Sequence, residues 1–149
     1  MNDQLAVMTT SRLQHFERFQ SDLDPATQLQ HFLKESQMPE MYGIAGHVIS
    51  EMRSRIGHSP LDMKTIASTM HMSKRTLQRR LKYQGTSFME IRDQLRKHYA
   101  ILFLLVHLRN VDYIYTSLDF SDRASLTNAF KRWTGLCPRT FRKTYRDYI

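Results

Sequence analysis

The densest chemistry in the chain lies in Ser73–Lys82, which reads S-K-R-T-L-Q-R-R-L-K. Five of these residues are cationic: Lys74, Arg75, Arg79, Arg80 and Lys82. Arg75, Gln78, Arg79 and Lys82 stand at i, i+3, i+4 and i+7, which gathers them on one face of a helix, while Leu77 and Leu81 share another. Ser73 occupies the N-cap position, where its hydroxyl can accept a backbone N–H of the first turn. The pattern describes a helix clamped to a core on one side and offering Arg, Gln and Lys on the other. Such a face either binds an anionic partner or is a solvated basic surface, and the rest of the chain has to decide.

Charge favours the partner. The 149 residues suffice for one domain, or one domain with an appendage, and carry a net charge of +8. A pI near 9.9 points to nucleic acid before membrane. Residues 1–40 hold three Lys/Arg against six Asp/Glu, whereas residues 41–149 hold 19 against eight. The expected organisation is an acidic N-terminal helical segment, 1–40, and a basic domain, 41–149. One cysteine, Cys137, excludes an intramolecular disulfide framework and a Cys-rich zinc site, and fits a reducing, cytoplasmic setting at the nucleoid. The N-terminus lacks a basic flank followed by an apolar core. The longest apolar run, Tyr99–Val106, falls far short of the roughly 20 residues of a membrane span. The histidines lack metal-ligand spacing, and nucleophile–base pairs and Gly-rich phosphate loops are missing, so neither a cofactor nor an enzymatic activity is expected. Cys137 reads as a cap substitute before Pro138, Trp133 as core, and the nine methionines as core filler.

The elements that position the basic face follow from periodicity. Leu13, Phe16, Phe19 and Leu23 mark a first amphipathic helix. Asp24-Pro25 starts a second, with Leu29, Phe32 and Leu33 inside, ending before Met38-Pro39. These helices pack on the basic domain, pair with another copy, or are the stub of a regulatory domain. A third helix spans Tyr42–Ile56, with Ile44, Val48, Met52 and Ile56 on one side. Asp62 caps a short helix containing Ile66, Ala67 and Met70; His71 sits at a turn that favours left-handed backbone, and Ser73 opens the basic helix. This is helix-turn-helix spacing, with a small Ala67 where two helices cross. Ser87 and Glu90 form a capping box for a linker helix running to about Leu108, roughly 30 Å long.

The unit then recurs. I-A-S-T-M-H-M-S, Ile66–Ser73, is echoed 48 residues later by I-Y-T-S-L-D-F-S, Ile114–Ser121. Beyond Ser121 the second copy gains one residue, so that Leu77 and Leu81 map to Leu126 and Phe130. Two helix-turn-helix units on a ~30 Å helix suit a duplex whose major groove returns every ~34 Å. The expected fold is all-α: two helix-turn-helix subdomains joined by a long linker helix, preceded by the N-terminal segment.

Three stretches resemble the AraC/XylS family of bacterial transcription regulators: I-A-S-T-M-H-M-S-K-R-T-L-Q-R-R-L-K, then G-T-S-F, then F-K-R-W-T-G-L-C-P-R-T-F-R, Phe130–Arg142. With their surroundings they cover about residues 42–142. The resemblance implies a seven-helix DNA-binding domain and sequence-specific binding to double-stranded promoter DNA, with activation through contacts to RNA polymerase. By position, Arg75, Gln78 and Arg79 would read bases, with Ser73, Lys74 and Lys82 at the DNA backbone. Arg suits the O6/N7 edge of guanine and Gln suits adenine. The matching second set is Arg123, Ala124, Ser125, Thr127 and Asn128, with Ser121 and Lys131 at the backbone.

Departures concentrate in the second unit. Tyr115 stands where the family usually has Ala, so it should tilt the unit or force repacking. Asp119 replaces Gly at the turn and should place a negative charge near the DNA side. Asn128 replaces a frequent Arg. The expectation is an asymmetric reader in which the first unit dominates; the competing reading is an interaction protein of the same fold with weakened DNA binding. The run Tyr99–Val106 is apolar all round. It is covered by both lobes and the N-terminal helices, or it is a surface for a second copy or a regulatory domain, as residues 1–40 could also be.

Overall fold

A computed structural model describes residues 23–58 and 60–149; the first expected helix, with Leu13, Phe16 and Phe19, lies outside them. Eight α-helices follow within the described residues: α1 Pro25–Ser36, α2 Gly43–Arg55, α3 Met63–Thr69, α4 Lys74–Tyr83, α5 Phe88–Ile101, α6 Val111–Ser117, α7 Arg123–Thr134 and α8 Pro138–Tyr145. The described residues contain no strand. Side-chain caps set most helix starts. Asp24, Asp62, Ser73 and Ser87 accept backbone N–H groups from Thr27, Thr65, Thr76 and Glu90 at 3.0–3.2 Å. Each removes an orphan donor from a first turn.

Helix α2 starts without a cap of its own, because Tyr42 makes no side-chain cap bond. Gln84, at the far end of α4, supplies it. Its Oε1 accepts the Ala45 N–H at 2.9 Å and its Nε2 donates to the Tyr42 carbonyl at 2.9 Å. One amide thus does for α2 what an N-cap side chain does, from 39 residues away, and ties α4 to α2. Gly43, at φ +61°, admits this close approach: a Cβ there would lie 3.2 Å from Gln84 Nε2.

Two hydrophobic cores result. In the first, Val48 and Met52 of α2 meet Ile66 and Ala67 of α3, Leu77 and Leu81 of α4, and Ile91 and Leu95 of α5. In the second, Ile101, Leu104 and Leu105 meet Ile114 of α6, Leu126 and Phe130 of α7, and Phe141 and Tyr145 of α8. Leu29 and Phe32 of α1 belong to this second core. The Phe32 ring lies edge-on to Phe141 and Tyr145, and the Tyr145 hydroxyl donates to Gln28 Oε1 at 2.7 Å. Residues 25–36 thus pack on the basic domain. The charge boundary near residue 40 therefore does not coincide with a packing boundary.

The linker departs from a simple helix to Leu108. Its α-helical part ends at Ile101, and Leu102–Val106 forms a π-helical turn. His107 N–H bonds to the Leu102 carbonyl at 3.1 Å, and Arg109 N–H closes on the Phe103 carbonyl at 2.8 Å across a left-handed Leu108, φ 50°. Arg142 of α8 donates from Nε to the Leu104 carbonyl at 3.0 Å and from Nη2 to that of Arg109. Ala100, Ile101, Phe103, Leu104 and Leu105 are all buried. The apolar run is consumed inside the chain, by both lobes and α1, and leaves only Val106 exposed among its eight residues.

Candidate nucleic-acid interface

Helix α4 turns Leu77 and Leu81 into the first core with no residual exposure, and this fixes the outward face. Ser73, Lys74, Arg75, Gln78, Arg79 and Lys82 are all exposed. None of the cations among them forms an ion pair with a described residue. The basic helix is thus an uncompensated cationic surface on a buried apolar ridge. His71 adopts φ 56°, as its place in the turn requires, and brings the Met72 N–H back onto the Ala67 carbonyl at 3.0 Å.

The second unit repeats the backbone but not the electrostatics. Asp119 matches His71 with φ 56°, and Leu118 and Phe120 close the same turn. The cap, however, is Asp122 and not Ser121: its carboxylate accepts the Ser125 N–H at 2.7 Å. The extra residue of the second copy falls at the cap, and Ser121 is left to pair its hydroxyl with that of Ser125 at 2.9 Å. Hydrogen bonds from Ser125 hold the Asp122 carboxyl below the usual carboxylate range, so it is charged at the start of α7. Arg123 is exposed but held by Asp112 of α6, whose Oδ1 accepts from Nη2 at 2.5 Å and from Nε at 3.1 Å. That hydrogen bond, with the Asp112 charge, raises the guanidinium above its ordinary value. Ser125 and Thr127 are half-buried, while Ala124, Asn128 and Lys131 are exposed. Arg132 leaves the face altogether, pairing with Asp93 of α5 at 2.6 Å. Of the three cations on α7, Lys131 alone has no ion pair among the described residues.

Tyr115 is half-buried and packs at the rim of the second core. Asp119 is exposed, and its carboxylate Oδ2 accepts the N–H of Leu61, in the first unit, at 2.8 Å. Beside it, Arg96 of α5 donates from Nε to the Leu118 carbonyl at 2.8 Å and from Nη2 to that of Asp119 at 2.5 Å, and lies 4.2 Å from the centre of the Phe120 ring. Burial and the Arg92 charge push the Arg96 guanidinium down to about 10, against Asp119 and Asp93, so it stays charged at neutral pH. Trp133 packs against Phe120 and Phe130 and donates Nε1–H to Asp93 at 3.1 Å, a core role. Cys137 occupies the position before Pro138, with Sγ 3.0 Å from the Thr140 hydroxyl.

Periodicity could not reveal Gln84, Asp112, Arg96 and Asp119 as structural partners, because each acts on a residue remote in the chain. A signal existed only for Asp112, an acidic residue 11 positions before Arg123 in a unit otherwise built like the first.

Two helix-turn-helix units, each with its own core and joined through one helix, define a double helix-turn-helix protein. A family model described as a helix-turn-helix domain matches residues 66–144, just over half of the chain. The chain belongs to the AraC/XylS family of helix-turn-helix proteins. It is similar to the HTH-type transcriptional regulator VqsM of Pseudomonas aeruginosa, with 40% identity over 81 residues, which is 54% of this chain and 25% of that protein. The ornithine utilization regulator of the same organism is 31% identical over 101 residues, 68% of this chain and 30% of that one. The chain therefore spans about a quarter to a third of the length of these relatives. Among solved structures, the transcriptional regulator CdpR of P. aeruginosa matches with a TM-score of 0.61 and 27% identity, over 69% of this chain and 32% of CdpR. A DNA-binding transcriptional dual regulator of Escherichia coli K-12 matches with a TM-score of 0.60, over 72% of this chain and 96% of that one; at 18% identity it speaks for the fold alone.

Proposed function

We propose that the chain is the DNA-binding part of a transcription regulator that reads two successive major-groove segments of double-stranded promoter DNA, with α4 as the dominant reader. The observation that carries this reading is the α4 face: six exposed polar or cationic residues, Ser73 to Lys82, on a helix whose apolar side is fully buried. Arg75, Gln78 and Arg79 have the donor sets for base edges, and Ser73, Lys74 and Lys82 flank them for phosphates. On α7 the proposed readers are Arg123, Ser125, Thr127 and Asn128, with Ser121 and Lys131 at the backbone. The paired Arg123 and the charged Asp122 make this the weaker face. Activation through RNA polymerase, and control by a regulatory domain joined through the N-terminal side, complete the proposal by analogy with regulators of this family. The competing adaptor reading leans on Tyr115, which is half-buried against the second core, and on Asp119, which is bonded to the Leu61 N–H.

The test is selection of DNA from a random pool followed by binding at graded salt. The selected sequence should bind on the order of 10³-fold or more tighter than random duplex, and log K should fall steeply with log salt. No preferred sequence and a flat salt slope would overturn the proposal.

A further inference from the structure

The two helix-turn-helix units are tied by more than the linker helix. The N–H of Gly57 donates to the Ser117 carbonyl at 3.0 Å. The N–H of Leu61 donates to the Asp119 carboxylate at 2.8 Å. Arg92 reaches the Leu61 carbonyl at 3.4 Å, and Arg96 holds the carbonyls of Leu118 and Asp119 at 2.8 and 2.5 Å. The turn of the second unit is therefore bonded to the segment leading into α3, the first helix of the first unit. Within this set the Asp119 carboxylate has a distinct position. Leu61 is fully buried, so its N–H is a donor that cannot be left without a partner cheaply. The other ties use backbone carbonyls that any residue would offer. Asp119 is the side chain that spans the junction from the second turn.

We infer that Asp119 is a positioning residue that locks the separation and relative rotation of α4 and α7, and thereby the spacing between the two DNA segments that the chain accepts. This rests on the DNA reading proposed above. A rigid pair of readers accepts one spacing, because each added base pair moves the second segment by about 3.4 Å and rotates it by roughly a tenth of a turn. A loosely joined pair tolerates neighbouring spacings, at the cost of effective concentration at the best one.

The variants follow from the backbone. Asp119 has φ 56°, so Asp119→Gly keeps the turn and removes only the carboxylate, while Asp119→Asn keeps both left-handed tolerance and an oxygen acceptor. Binding is measured on the selected site and on versions with one base pair added or removed between the segments. The wild type and Asp119→Asn should lose on the order of 10²-fold at the altered spacings. Asp119→Gly should lose only about a few-fold there, relative to its own best site. An unchanged spacing profile in Asp119→Gly would overturn the inference. A second measurement needs no DNA. Spin labels at Tyr83→Cys and Lys143→Cys, in a Cys137→Ser background, report the distance distribution between the units. It should be narrow in the wild type and Asp119→Asn and broader in Asp119→Gly. Equal widths overturn the positioning role even if the chain selects no DNA sequence at all, whereas a broadened distribution in Asp119→Gly with no selected sequence would overturn the DNA reading alone.

Discussion

Phe32 is the residue through which α1 is committed to the second unit, and its replacement by Ala tests that commitment. The ring is 4% exposed and lies 5.4 Å from Phe141 and 5.8 Å from Tyr145, both edge-on. Phe→Ala in a core costs roughly 3–5 kcal/mol, the two edge-on ring interactions being part of that sum. Without either ring interaction, and with Leu29 beside the cavity, the expected cost is about 4 kcal/mol, a large share of the ~5–15 kcal/mol that holds a domain folded. The effect should also be local, because Phe32 belongs to the second core and the first has its own apolar set. Urea unfolding followed through Trp133, the single tryptophan, reports the second unit, and hydrogen exchange resolves the helices. Protection should fall in α6, α7 and α8 and hold in α3 and α4. A destabilisation below about 1 kcal/mol, in the range of surface substitutions, would refute the argument. So would an equal loss of protection in α3 and α4.

Three further outcomes are expected. Arg79→Ala should weaken binding to the selected site by roughly 1–3 kcal/mol and relax preference at one position; Asn128→Ala should cost less, and the reverse order in a binding titration would contradict the asymmetry of the two faces. Asp112→Ala should tighten DNA binding and steepen the salt slope by up to about 1, because it releases Arg123 and removes a repelling charge; weaker binding at low salt would mean that the pair orders Arg123 for reading. Stability should also fall with mild acidification at His98. Burial pushes the His98 imidazole down; its bond to the Ser36 carbonyl partly offsets this, and the Arg53 charge adds to the lowering. A depressed folded value means the contribution is complete above the ordinary value of 6.5 and is lost as pH falls through the lower folded one. Thermal unfolding between pH 7.5 and 5 should show this loss in the wild type, and His98→Gln should flatten it.

Much of the architecture is legible in local residue patterns. Asp24-Pro25, Asp62, Ser73 and Ser87 each announce a helix start because a cap acts on N–H groups two or three residues away. Leu77 with Leu81 and Ile91 with Leu95 announce buried faces because a helix repeats every 3.6 residues. The duplicated Ile66–Ser73 pattern announces the second unit, and His71 and Asp119 their left-handed turns. Chemistry that acts within one turn of helix leaves a mark within one turn of sequence. The start of α2 leaves none, because its cap is Gln84, supplied from 39 residues away.

The candidate interface divides along the same line. The outward face of α4 follows from its leucines, since whatever buries them must expose Arg75, Gln78 and Arg79 on the opposite side. What α7 can offer does not follow from α7. Asp112 comes from another helix to hold Arg123, and Asp93 from the linker to hold Arg132. Asp119 reads in the sequence as a charge intruding on the DNA side, yet it is bonded to a buried N–H of the other unit. The chain's own residues determined that there are two helix-turn-helix units and which one carries the basic face. Only the tertiary structure decided how the units are joined, that α1 belongs to the second, and which charges are free, because those outcomes depend on groups that meet across 11 to 117 residues of chain.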